Sequence, residues 1–257
     1  MRPDGELHGR RLRGMVRLVI AAGGGCSIAW ALLVYPTLRH EPAFAAAAQR
    51  ILSSEQYNAE QLNELRSKLG ASSAISLRPS ALNDVAVIRL RLVEADLASG
   101  QASAADLDSL QRSIDVALNQ DPARSFLWLA DYWLQRLRSD SGVADSGLLR
   151  MSYQTGPNEA WIALKRNPVG LAVFPALSED LKGRVIAEFA GLVRSWLYQD
   201  AANILAGPGW PVHERLLDGL SRLDQGHRSQ FARALEARDI EDVTVPGMEQ
   251  RRPSRPF

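Results

Sequence analysis

The chain has 257 residues, 46% hydrophobic and 7% aromatic, with 30 lysines and arginines against 29 aspartates and glutamates, for a formal charge of +1. That balance leaves no basic footprint for nucleic acid, and the single cysteine, Cys26, excludes an internal disulfide and a multi-thiolate metal site. The length suffices for a membrane segment followed by one substantial domain or two small ones.

Residues 18–38 form an uncharged, mostly apolar run preceded by Arg10, Arg11, Arg13 and Arg17. A bilayer core needs roughly 20 apolar residues in helical form, and flanking basic residues stay in the cytoplasm. The run therefore predicts a transmembrane helix over 18–38. A basic segment (1–17) would lie inside, and the polar remainder would lie beyond the inner membrane of a bacterium, in the periplasm. Trp30 and Tyr35 suit the outer interface. A cleavable signal is the main alternative, since 43–48 contains Ala-x-Ala combinations, but Pro36, Arg39, His40, Glu41 and Pro42 intervene. Gly24-Gly25-Cys26 is a poor lipoprotein signal because apolar sequence continues past the cysteine. Ala21, Gly25 and Ala29 recur every four residues on one helix face. They either let a second copy approach to form a homodimer or reflect the ordinary small-residue content of membrane helices.

Downstream, helical periodicity dominates and strict strand alternation is nearly absent, so the fold class reads as all-α. Residues 39–80 are a stalk with first helices: 43–52, then 55–69 capped by Ser54 and stopped by Gly70. The stretch 81–240 reads as a helical-repeat domain. Its first helix, 81–98, ends at Gly100, and Ser103 with Asp106 opens the next as a capping box. Asp121-Pro122 is expected to open a third helix carrying Phe126, Trp128, Tyr132 and Trp133. Ser178-Glu179-Asp180 opens a long helix whose apolar stripe includes Leu181, Val185, Phe189, Leu192 and Trp196, and Gly207-Pro208-Gly209 breaks the chain after 201–205. Helices over 212–223 and 228–238 follow, and the proline- and arginine-containing residues 241–257 read as a flexible tail.

Leu97, Ala98, Ala117, Pro122 and Trp128 fall on positions that make this part of the chain resemble a degenerate tetratricopeptide repeat, a helix pair of 34 residues. Leu110, Glu94, Gln101 and Gln135 depart from that pattern. The phrase Ala117…Asp121-Pro122 recurs as Ala163…Asn167-Pro168, 46 residues on, which implies an insertion, with residues 139–147 the natural place for it. The resemblance implies a stacked helical surface suited to holding another protein. The stretch 156–168 also resembles single-pass proteins of bacterial envelope polysaccharide systems, which would imply help in polysaccharide synthesis or export.

Asn158, Glu159, Trp161, Lys165 and Arg166 form the candidate binding cluster, with a stacking ring and a guanidinium fork for an acidic or sugar ligand. The competing reading has Trp161 packing in the core. Trp210 in Gly207-Pro208-Gly209-Trp210-Pro211 is a second candidate. No HExxH, GxSxG or P-loop occurs, His213 and His227 are far apart, and Glu159, Glu188 and Glu214 form no recognisable pair. No catalytic residue, metal or cofactor is therefore assigned. The sequence points to a membrane-tethered, non-catalytic scaffold with the lipid bilayer and an envelope protein as partners. An envelope enzyme using carboxylates in a helical groove on glycan or peptidoglycan is the alternative.

Overall fold

A computed structural model of the chain describes residues 23–25, 27–30, 43–53, 55, 57–71, 79–139, 144–240 and 242–248. Its regular elements are all helical, and they fall into two units, Met1–Gln101 and Ala102–Phe257, which divide within the 81–240 stretch. Among the described residues no helix is long and apolar enough to cross a membrane. Most of the 18–38 run, Ala21 included, lies outside them; Gly25 and Ala29 are helical and exposed.

In the first unit, residues 43–52 are helical and precede α1 (Ala59–Ala71) and α2 (Pro79–Ala98). Phe44, Ala47, Leu62, Leu65, Leu69, Ile88 and Leu92 form one buried cluster, each large side chain contributing about 1.5–3 kcal/mol through loss of apolar surface from water. Asn58 opens α1; Ser54, the expected cap, lies outside the described residues. The Gln61 amide donates to Asn58 Oδ1 at 2.9 Å, and the Asn58 amide donates to Gln61 Oε1 at 3.0 Å, a reciprocal arrangement that satisfies two otherwise free donors. Arg66 pairs with Asp96 to join α1 to α2.

The second unit comprises α3 (Ala104–Gln120), α4 (Ser125–Arg138), α5 (Ser146–Thr155), α6 (Ala160–Ala172), α7 (Glu179–Arg194), α8 (Tyr198–Ala206), α9 (His213–Gly219) and α10 (Gln225–Glu236). The expected Ser103–Asp106 capping box opens α3. Helix α4 begins three residues beyond Pro122, because Asp121 accepts from the Ala123 amide at 3.2 Å and pairs with Arg124, holding a turn there. Pro168 opens no helix. It lies inside continuous α6, and Asn167 is buried with its side chain donating to the Val185 carbonyl at 2.9 Å. The repeated Ala-to-Pro phrase thus marks a junction once only.

Helix α7 is the centre of this unit, packing against α6, α8, α9 and α10. Leu181, Val185, Phe189, Leu192 and Val193 make its buried stripe, and Phe189 meets Phe231 of α10 edge-on with centroids 5.8 Å apart. Gly170 permits the close approach of α6: a Cβ there would stand 2.8 Å from Val185 Cγ2. Part of the expected flexible tail also belongs to this core. Val245 is buried and Arg228 donates to the Pro246 carbonyl; residues 249–257 lie outside the described chain.

The α7 stripe stops short of Trp196. The Trp196 amide donates to the Val193 carbonyl and the Leu197 amide to the Leu192 carbonyl, both at 3.1 Å, a Schellman closure that forces the intervening residue into the left-handed region. Trp196 accordingly has φ 64° and is 75% exposed. Helix α2 closes in the same way, with Gly100 at φ 70°. A side chain in this conformation costs roughly 1–2 kcal/mol that glycine avoids, and glycine returns roughly 0.5–1 kcal/mol of that in backbone entropy. Trp196→Gly should therefore raise the unfolding free energy by about 0.5–1 kcal/mol in urea titration; a loss of stability would show that the ring contributes more packing than its exposure indicates.

Candidate functional site

Arg166, expected to face a ligand, is fully buried. Five N–H donors with no solvent must all find acceptors, and here they do. Nε and Nη2 donate to Glu188 Oε1 at 2.9 and 2.6 Å, Nη2 also to the Gly156 carbonyl at 3.0 Å, and Nη1 to the Ser152 carbonyl at 2.6 Å. Nη1 also reaches the hydroxyls of Ser152 and Ser125 at 3.1 and 3.3 Å. The guanidinium lies over the Tyr153 ring, 4.0 Å from its centroid. Side chains and carbonyls from α4, α5, the α5–α6 turn and α7 thus converge on one cation.

Glu188, one of three carboxylates the sequence left unpaired, is the missing partner. Its other oxygen accepts from the Tyr153 hydroxyl at 2.9 Å and lies 3.5 Å from Asn167 Nδ2. Burial pushes the Glu188 carboxyl above its usual range, against the pull of the Arg166 guanidinium. Burial, reinforced by the neighbouring Glu188 charge, holds the Tyr153 phenol well above its ordinary value.

Outward from this network lies a groove of about 530 Å³, within the range of ligand sites. One side is the α7 face formed by Arg184, Ala187, Glu188, Gly191, Leu192, Arg194 and Ser195; Pro157, Asn158, Ala160 and Ala163 supply the α6 side, and Tyr153 comes from α5. The spacing of three, four and seven residues along α7 is that of a single helix face. Glu188 is the groove's only lining carboxylate. Asp180 is shared between Arg150 and Arg184, the latter at 3.4 Å. Arg194 has no hydrogen bond or ion pair among the described residues. The groove is thus net positive, with Arg166 balancing Glu188 beneath it.

Of the sequence candidates, only Asn158 lines this groove. Glu159 is exposed and precedes α6 without a side-chain capping bond, and Lys165 is half-buried. Trp161 packs against Phe126 with centroids 5.3 Å apart, so its face is taken up by the protein. Trp210 is 39% exposed and stacks on His213 at 4.8 Å, separate from the groove lining. His213 and His227 serve different places: His227 Nδ1 is 2.9 Å from the Tyr198 hydroxyl, and His213 Nδ1 is 2.7 Å from the Trp210 carbonyl. Among the described residues no cluster of three or more His, Cys, Asp or Glu side chains is placed to hold a metal.

The described residues define an all-α protein with a cationic surface groove over a buried ion pair. Comparison with protein-family models, curated proteins and solved structures finds no match.

Two measurements address the network. Arg166→Met should cost about 3–5 kcal/mol in chemical unfolding because it strands a buried carboxylate. Adding Glu188→Leu should recover part of that loss; a double variant no more stable than Arg166→Met would refute mutual neutralisation. Because the phenol pKa is raised in the folded state, the stability Tyr153 contributes is intact below its unfolded value of about 10 and lost as pH rises beyond it. Tyr153→Phe should therefore flatten the decline of wild-type stability above pH ~10, and parallel pH curves for the two proteins would count against this assignment.

Proposed function

We propose that the chain is a membrane-tethered scaffold or adaptor of the bacterial envelope. The 18–38 run holds it in the inner membrane with the amino terminus cytoplasmic, and the helical units lie in the periplasm, where the second unit holds another envelope protein. In this reading residues 81–240 form degenerate tetratricopeptide-like helical repeats, and the assembly serves polysaccharide synthesis or export. Pairing of two copies through Gly25 and its neighbours in the anchor belongs to the same reading.

The groove along α7 is the observation that supports it most. It offers a floor of small and apolar residues, two guanidiniums and an amide, Asn158, at its margin. Tryptophan, tyrosine and arginine are the residues that most often dominate protein interfaces. Glycan hydrolysis calls for two carboxyl groups facing each other across the sugar. The groove has Glu188 alone, with Oε1 engaged by Arg166 and Oε2 by Tyr153. That chemistry favours holding over cleaving.

A photo-crosslinking amino acid at Asn158 of the full chain, activated in intact membranes, should capture one reproducible envelope protein. The same group at exposed Gln230 should not. Equal capture at both positions, or none at either, would overturn the adaptor reading.

A further inference from the structure

Two helices in the described chain close with a non-glycine residue at positive φ, Trp196 at 64° and Asp239 at 56°, and Trp196 carries the bulkier side chain. Gly100 shows how the same hydrogen-bond pattern is made without strain, whereas Trp196 holds a bulky ring at φ 64° and leaves it three-quarters exposed. Its packing return is small: the described ring neighbour is the His227 imidazole, 6.4 Å away between centroids. Strained backbone of this kind costs about 1–3 kcal/mol and clusters at ligand-binding and other functional sites. In sequence Trp196 directly follows Arg194 and Ser195, which line the groove; Trp196 itself is not part of that lining.

Arg184 and Arg194 are ten residues apart on α7, which places their backbones about 15 Å from each other at a helical rise of ~1.5 Å per residue. Between them the surface is small or neutralised: Ala187, Gly191, and Glu188 with its charge met by Arg166. A polypeptide in extended form advances about 3.3 Å per residue, so carboxylates about five residues apart would match the two guanidiniums. The sequence outside the described residues does not supply such a segment. The stretch 249–257 sets Glu249 alone against Arg251, Arg252 and Arg255, and residues 1–22 have five arginines against Asp4 and Glu6.

We propose that this groove, with Arg184 and Arg194 toward its two ends and Trp196 beyond, is the docking site for an acidic segment of the partner protein. The inference rests on the adaptor reading and names the chemistry of its partner. Guanidinium–carboxylate pairs fix the segment's register, and the exposed indole receives an apolar side chain next to one of the acids. Trp196 is thus a specificity residue retained against the preference of the helix end.

The test uses the full chain in detergent micelles and selection from a random peptide library. Recovered sequences should be rich in paired Asp and Glu, and their affinity should fall at least about tenfold in Arg194→Glu and further in the Arg184→Glu/Arg194→Glu double variant. Trp196→Gly should weaken binding about tenfold while unfolding at a higher urea concentration than wild type, which separates lost recognition from lost folding. Recovery of non-acidic sequences, or equal binding by the charge-reversed protein, would overturn the proposal. So would the absence of peptide binding with retention of a polyuronate oligosaccharide, which would assign the groove to a glycan. If the Asn158 crosslink persists in the charge-reversed chain, the adaptor reading stands and this docking site falls.

Discussion

A buried guanidinium dictates the geometry of the second unit. Arg166 cannot be hydrated, so each of its donors needs a protein acceptor, and those acceptors come from Ser125, Ser152, Gly156 and Glu188. Moving α5 or α7 by a single residue against α6 would leave a charge or a carbonyl without its partner in a medium of low polarity, a penalty of several kcal/mol. Apolar packing alone tolerates such slippage more readily, because one leucine fills much the same space as another. The pair therefore acts as a register pin for the helix stack, while the stripe Leu181, Val185, Phe189, Leu192 and Val193 provides the bulk of the burial.

Helix α7 has two faces with different duties. Its apolar face is enclosed by α6, α8, α9 and α10, and an adjacent face carries Arg184, Ala187, Gly191 and Arg194 along the groove. Glu188 stands where these faces meet, bound inward by Arg166 and Tyr153 yet forming part of the groove lining. A groove built on a helix packed against four others is preorganised, so docking costs little conformational freedom of the receptor.

The helical class and several boundaries were legible in the sequence because local chemistry determines them. Ser103 and Asp106 satisfy each other across one turn, Gly100 accepts the left-handed closure, and Gly207-Pro208-Gly209 interrupts the helical pattern. The site was less legible. Arg166 lies at a position whose charge suggests a solvated face, and the carboxylate that buries it is 22 residues away on another helix. Trp196 fits the three- and four-residue spacing of Phe189, Leu192 and Val193 and so reads as core; its exposure follows from a chain reversal that no glycine announces. Asn167-Pro168 looks like a helix opening, but the Asn167 bond to the Val185 carbonyl engages a neighbouring helix instead. For Arg166 and Asn167 the deciding partner is remote in sequence, whereas the bonds that turn Trp196 out are local backbone bonds that no residue type marks.

The segment that follows α10 alters what counts as the edge of the folded unit. Val245 inserts into the core and Arg228 grips the Pro246 carbonyl, so the last helix is covered by chain that has no regular structure of its own. The core of this unit therefore extends beyond its last described helix, at least as far as Val245. Truncation that removes Val245 takes away a buried member of that core, uncovers apolar surface and makes the remaining protein prone to self-association.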